Sequence, residues 1–115
     1  MEASFITFSA YQDSTSTTAT YPDLGTGSLF ALSYCTLGLA GEAGEVANKV
    51  KKMLRDGDSP AKRAELVGEI GDCLWYISQL CSELKLSMSD VAAKNIDKLS
   101  DRKKRGVIGG NGDNR

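Results

Sequence analysis

Apolar side chains recur at positions 29, 32, 36/37, 39/40, 43, 46/47, 50 and 53/54, the mixed three-and-four spacing of one long helix carrying a buried stripe. A second run of the same period covers about Pro60 to Leu84, through Leu66, Ile70, Cys73, Leu74, Ile77, Leu80, Cys81 and Leu84. Between them stand only Asp56-Gly57, a stop, and Ser59-Pro60, an N-cap with proline at the first helical position. So short a connection makes the two helices antiparallel neighbours. The chain is therefore expected to be all-α, with this hairpin at its centre.

The flanks supply two further helices. Residues 4–13 place Phe5, Phe8 and Tyr11 near one face, predicting a short first helix, and Ser87 or Ser89 caps a fourth that reaches about Arg105. From Ser14 to Ser28 serine, threonine and Tyr-Pro-Asp-Leu-Gly-Thr-Gly read as a loop. The stretch 106–115 is too glycine-rich to continue a helix. Neither a strand-like alternation nor an internal repeat is evident. With 115 residues the reading is one domain, 1–115, an antiparallel bundle of about four helices whose thin core favours a homo-oligomer, dimer or tetramer.

Composition removes whole classes of chemistry. There is no histidine, so Ser-His-Asp triads, Cys-His dyads and His-ligated zinc, copper or di-iron sites are excluded. A formal charge of -1 gives no sequence-wide positive field for duplex nucleic acid or anionic lipid. The three cysteines, Cys35, Cys73 and Cys81, never form a C-x-x-C pair and read as reduced core residues. No stretch approaches the roughly 18 apolar residues of a membrane span, and Met1-Glu2-Ala3-Ser4 lacks the layout of a signal peptide, so the expected compartment is the cytoplasm.

Two acidic pairs carry the chemistry that remains: Glu42-Ala43-Gly44-Glu45 and Glu69-Ile70-Gly71-Asp72. In an antiparallel hairpin, residues at equal height have numbers averaging to the turn. Glu45 with Glu69 and Glu42 with Asp72 both average to 57, the predicted turn at Gly57. Four carboxylates would then share a patch about one turn tall (~4.5 Å). Such a patch either splays into water, as most Glu-x-x-Glu pairs do, or surrounds a hard cation such as Mg²⁺ or Mn²⁺. Gly38, Gly41, Gly44, Gly68 and Gly71 alongside each cost about 1 kcal/mol in a helix interior. They are expected to make room for another backbone or a bulky ligand.

Other groups extend the patch. Tyr76 lies one turn beyond Asp72, where it could pack against a base or sugar or serve as a core tyrosine, and Trp75 reads as packing. Lys49 is either a phosphate ligand or the i to i+4 partner of Glu45. Asn95, Lys98, Arg102 and Arg105 form one stripe of an amide and three cations, suited to clamp a polyphosphate or merely to complement the helix dipole. No P-loop sequence is present.

These segments resemble the MazG-type, all-α nucleoside triphosphate pyrophosphohydrolases. Gly38-Leu39-Ala40-Gly41-Glu42-Ala43-Gly44-Glu45 and the run Glu65 to Tyr76 are similar to the two halves of the family's Glu-x-x-Glu and Glu-x-x-Asp pattern. Asn95-Ile96-Asp97-Lys98-Leu99 with Arg102 resembles its third segment, and Gly110 to Arg115 resembles a tail of a small, often phage-borne branch. The resemblance implies Mg²⁺, with Mn²⁺ able to substitute, on Glu42, Glu45, Glu69 and Asp72. It implies phosphate contacts from Asn95, Lys98 and Arg102, while Lys49 stays a further phosphate candidate and Tyr76 and Tyr11 candidates for base or sugar. Asp113 and Arg115 become candidate tail contacts, and Glu45 or Glu42 the group that orients or deprotonates the attacking water. The implied reaction cleaves a (deoxy)nucleoside triphosphate to monophosphate and pyrophosphate. A purine, dGTP first, is the preferred substrate; dUTP, dCTP or a damaged nucleotide is the rival within that chemistry. The rival outside it is a non-catalytic helical interaction module. The Ser14–Ser28 segment departs from the compact, arginine-containing segment common in the family, so the resemblance leaves base recognition open.

Overall fold

The computed structural model describes residues 5–115, which form four α-helices. They are α1 (Phe8–Thr15), α2 (Leu29–Asp56), α3 (Pro60–Glu83) and α4 (Met88–Arg105), with one 3₁₀ turn, Ser16–Thr18, after α1. Among the described residues there is no strand. Every helix starts where its sequence supplies a hydroxyl. Thr7, Ser28, Ser59 and Ser87 accept from the main-chain N–H three residues on, and Pro60 follows the third of these caps. Gly57 ends α2 at φ 107°, a conformation that L side chains rarely adopt, and the chain reverses there.

Antiparallel α2 and α3 form the dominant packing, while α1 lies against α3 and α4. The register agrees with the turn arithmetic, since Lys49 pairs with Glu65 and Glu69 across the hairpin. Gln12 ties the α3–α4 junction together: its amide donates to Ser82 Oγ (3.1 Å) and the Leu86 carbonyl (2.9 Å), and accepts from the Met88 N–H (2.9 Å).

Three expectations need correction. The first helix begins at Phe8 rather than at residue 4, because Thr7 caps it, and Ser4 lies outside the described residues. The 14–28 loop is partly helical. Hydroxyls of Thr15, Ser16, Thr17 and Thr18 each donate back to the carbonyl three residues earlier, and these bonds wind the segment through residue 18. Its continuation is core: Ala19 and Tyr21 are buried with Ala31 and Cys35, against Trp75, Tyr76 and Leu80.

The third correction concerns the stripes. Leu37, Leu54 and Ile70 are 57–85% exposed, although the helical period marks them as buried, and Val67 beside them is exposed too. The radius of gyration is 16.9 Å, against about 13 Å for a compact chain near this length. Four helices of one chain thus leave apolar faces of the hairpin uncovered. Cys35 and Cys81 are buried, Cys73 is half-buried, and all three are free thiols.

Candidate functional site

Glu42 comes from the middle of α2, and Glu69 and Asp72 from the middle of α3. One carboxylate oxygen from each lies within 4.8 Å of the others. Glu42 and Glu69 are half-buried and Asp72 is exposed. Burial, then the charges of Asp72, Glu69 and Glu45, push the Glu42 carboxyl above its ordinary pKa. Like charges crowded this way favour a proton or a cation, and an all-oxygen trio fits a hard divalent ion.

Glu45 stands outside the trio and is exposed. Equal height in the hairpin does not ensure equal reach, although the charge of Glu45 still acts on Glu42. The expected patch of four carboxylates is therefore a patch of three with a fourth acid beside it. Lys49 does not pair with Glu45 either; its ammonium lies 3.7 Å from Glu65 and 3.9 Å from Glu69.

A cavity of about 270 Å³ opens beside Glu42 and Asp72, walled by Thr18, Trp75 and Tyr76. The Trp75 indole donates to Thr18 Oγ1 at 2.8 Å, so the threonine-rich segment and α3 meet at the rim. Tyr76 packs edge-on to Trp75, with ring centroids 5.1 Å apart. Its ring lies directly over Gly38, where a Cβ would sit 2.2 Å from Tyr76 Cε1. Gly38 thus meets the expectation of a close approach, and the approaching group is a side chain of this protein. Nothing lies within 4 Å of a Cβ built at Gly41, Gly44, Gly68 or Gly71. Tyr11 lines a separate small cavity with Ile6, Thr7, Phe8 and Leu74, and burial and then the charge of Asp72 raise its phenol pKa.

The basic stripe of α4 lies elsewhere. Asn95 and Lys98 line a different cavity of about 390 Å³, together with Lys85 and Lys94, and it shares no residue with the aromatic-walled one. Arg102, expected to face a phosphate, is buried at 3% exposure and engaged by Asp113.

Sequence reasoning missed the group that holds the 19–28 segment in place. Glu83, the last residue of α3, is 3% exposed. Its carboxylate accepts from the Tyr21 hydroxyl and from the N–H groups of Gly25 (2.8 Å) and Gly27 (2.9 Å). Burial works to raise its pKa, but these bonds, with the charge of Lys85, outweigh burial and hold the carboxyl below its ordinary value. Tyr21 in turn stacks on Tyr34 at 5.3 Å and meets Trp75 edge-on at 6.4 Å. A glutamate at the end of an amphipathic run carries no local sign of this role. The only signal was Gly25-Thr26-Gly27, two backbone donors in turn conformation awaiting an acceptor.

The family model of the MazG nucleotide pyrophosphohydrolase domain matches residues 31–107. The Gene 37 protein of Mycobacterium phage L5 is 51% identical over 109 residues, covering 91% of this chain and 96% of that relative. No solved structure matches. No helix among the described residues is long and apolar enough to cross a membrane.

Proposed function

Because the chain belongs to the MazG nucleotide pyrophosphohydrolase family, we propose that it hydrolyses a (deoxy)nucleoside triphosphate to the monophosphate and pyrophosphate, with a purine nucleotide, dGTP first, as substrate. The observation that carries this reading is the convergence of Glu42, Glu69 and Asp72 beside an aromatic-walled cavity. Glu42, Glu69 and Asp72, with Glu45 beside them, would hold Mg²⁺, or Mn²⁺ in its place. When bound, the ion supplies neutralisation of the triphosphate and acidification of a water.

The chain's own residues do the rest. Glu45, exposed beside the trio, orients or deprotonates the attacking water, with Glu42 as the alternative. Attack at the α-phosphorus breaks its bond to the α–β bridging oxygen, and pyrophosphate leaves. Trp75 and Tyr76 offer aromatic faces to base or sugar, and Tyr11 adds a hydroxyl from the α1 side. Lys49, within 3.9 Å of Glu69, is assigned to the phosphates, and so are Asn95, Lys98 and Arg102, whose separate face would have to meet the trio across the assembly.

The exposed apolar residues Leu37, Leu54, Val67 and Ile70 support a homo-oligomer, dimer or tetramer. Gly41, Gly44, Gly68 and Gly71 would let helices of a second copy approach closely. The expected setting is the cytoplasm, that of the host if a phage encodes the chain.

A panel of purine, pyrimidine and oxidised triphosphates with Mg²⁺, read as released pyrophosphate, tests the assignment. Turnover by the wild type that is lost in Asp72→Asn and Glu69→Gln supports it, and the best substrate decides between dGTP and dUTP, dCTP or a damaged nucleotide. If no triphosphate turns over and Mg²⁺ leaves melting unchanged, the chain is a non-catalytic helical module and the proposal fails.

A further inference from the structure

The segment after α4 folds back on the helix. Gly106 leaves α4 in the left-handed conformation, φ 74°. The Arg115 guanidinium then donates to the carbonyls of Val107 (3.1 Å), Ile108 (3.1 Å) and Gly112, while Arg105 donates to the Arg115 main-chain oxygen at 2.7 Å. Gly110 admits this knot, because a Cβ there would lie 2.6 Å from Arg115 Cδ.

The knot presents Asp113 to α4. Asp113 Oδ1 accepts from Lys98 Nζ at 3.2 Å and from Arg102 Nη2 at 3.1 Å, and Arg102 Nη2 also reaches the Asp113 carbonyl at 2.9 Å. Among the described residues, every hydrogen-bond acceptor of Arg102 belongs to Gly112 or Asp113. The exposures are unequal: the Arg102 side chain is 4% accessible and the Asp113 side chain 80%. The acid reaches a covered guanidinium from the solvent side, the direction from which a dissolved anion would come. Arg102 and Lys98 together hold the Asp113 carboxyl below its ordinary pKa, so it is charged at neutral pH.

We propose that Asp113 occupies, in the free protein, the place a phosphoryl group takes between Lys98 and Arg102, and that residues 106–115 form a strap competing with the substrate's triphosphate for those cations. The proposal rests on the assignment of Lys98 and Arg102 to the phosphates. A carboxylate brings one negative charge and a triphosphate several, so the ligand wins once bound through both cations. The strap has the advantage of tethering, with an effective concentration in the millimolar range. Ligand affinity is reduced by the fraction of molecules whose strap is open.

The test is calorimetric binding of inorganic tripolyphosphate in EDTA, which needs neither metal nor turnover. Asp113→Asn should bind about two- to fivefold more tightly than wild type, the range of one partly exposed ion pair. Gly110→Ala, which loosens the knot without touching either cation, should shift affinity in the same direction. Lys98→Gln should shrink the difference between the Asp113 forms without removing it, since Arg102 still engages Asp113. In the wild type, tripolyphosphate should speed amide hydrogen exchange over residues 106–115, which a purely structural anchor would not do. Equal or weaker binding by Asp113→Asn, no binding by either form, or unchanged exchange overturns the strap. Tighter binding by Asp113→Asn without any nucleotide turnover leaves the strap standing and removes the hydrolase reading. Turnover with equal affinities does the reverse.

Discussion

Replacing Glu83 with alanine should be among the most damaging single changes in the molecule. The substitution leaves the Tyr21 hydroxyl and two backbone N–H groups without their acceptor in a site where Glu83 is 3% exposed. Hydrogen bonds to a charged group are worth about 1.5–3 kcal/mol each, but water entering the vacated space and the relief of burying a charge offset part of that sum. A net loss of about 4 kcal/mol results, a large share of the roughly 5–15 kcal/mol that holds a domain together. With a urea slope near ~2 kcal/mol/M, the midpoint should fall by about 2 M. The measurement is urea unfolding followed by circular dichroism at fixed protein concentration, since assembly adds a concentration-dependent contribution. Tyr21→Phe removes one donor only and should cost about 1 kcal/mol. The pH dependence has a definite sign. The folded carboxyl titrates below its unfolded value, so its contribution is complete above the unfolded pKa of about 4.3 and is lost as pH falls through the depressed folded pKa. The gap between wild type and Glu83→Gln should narrow over that acid range. A loss under about 1 kcal/mol for Glu83→Ala, or a gap that widens on acidification, would refute the account of Glu83 as a clasp.

Three other substitutions test the site and its supports. Gly38→Ala gains about 1 kcal/mol of helix propensity but drives a Cβ into the Tyr76 ring, so net destabilisation of about 1–2 kcal/mol and an altered Trp75 emission are expected. Gln12→Ala frees the buried side of the α3–α4 junction and should lower stability by about 2 kcal/mol, with hydrogen exchange speeding at Met88 before it does in the hairpin. Under the proposed function Mg²⁺ raises the melting temperature of the wild type; Asp72→Asn should abolish that rise and raise the melting temperature slightly in metal-free buffer, because one of three crowded charges is gone. Opposite behaviour in the metal-free arm would mean that the crowding is absent.

Helix positions were legible in the sequence because each rests on a local rule. Ser59-Pro60, Ser87 and Gly57 act within one turn of themselves, and the structure places helix ends at all of them. The carboxylate trio was legible for the same reason, as two spacings of three and one turn position. The averaging rule gives height and not reach, so it could not tell which of the four acids meet at the shortest distances. The burial of Arg102 and the role of Glu83 depend on partners far along the chain or in a glycine-rich segment, where periodicity says nothing. The exposure of Leu37 and Ile70 could not be read either, since a helical stripe announces that a face is apolar without naming what covers it.

The Glu83 contacts join residues 56–62 positions apart, whereas the α2–α3 pair closes around a single tight turn. Short closures are kinetically cheap and long ones slow, so the hairpin should assemble first and residues 19–28 should dock afterwards. In that order the acidic trio exists before Thr18 reaches Trp75. In stopped-flow refolding the clustering of the three carboxylates should therefore precede the burial of Trp75.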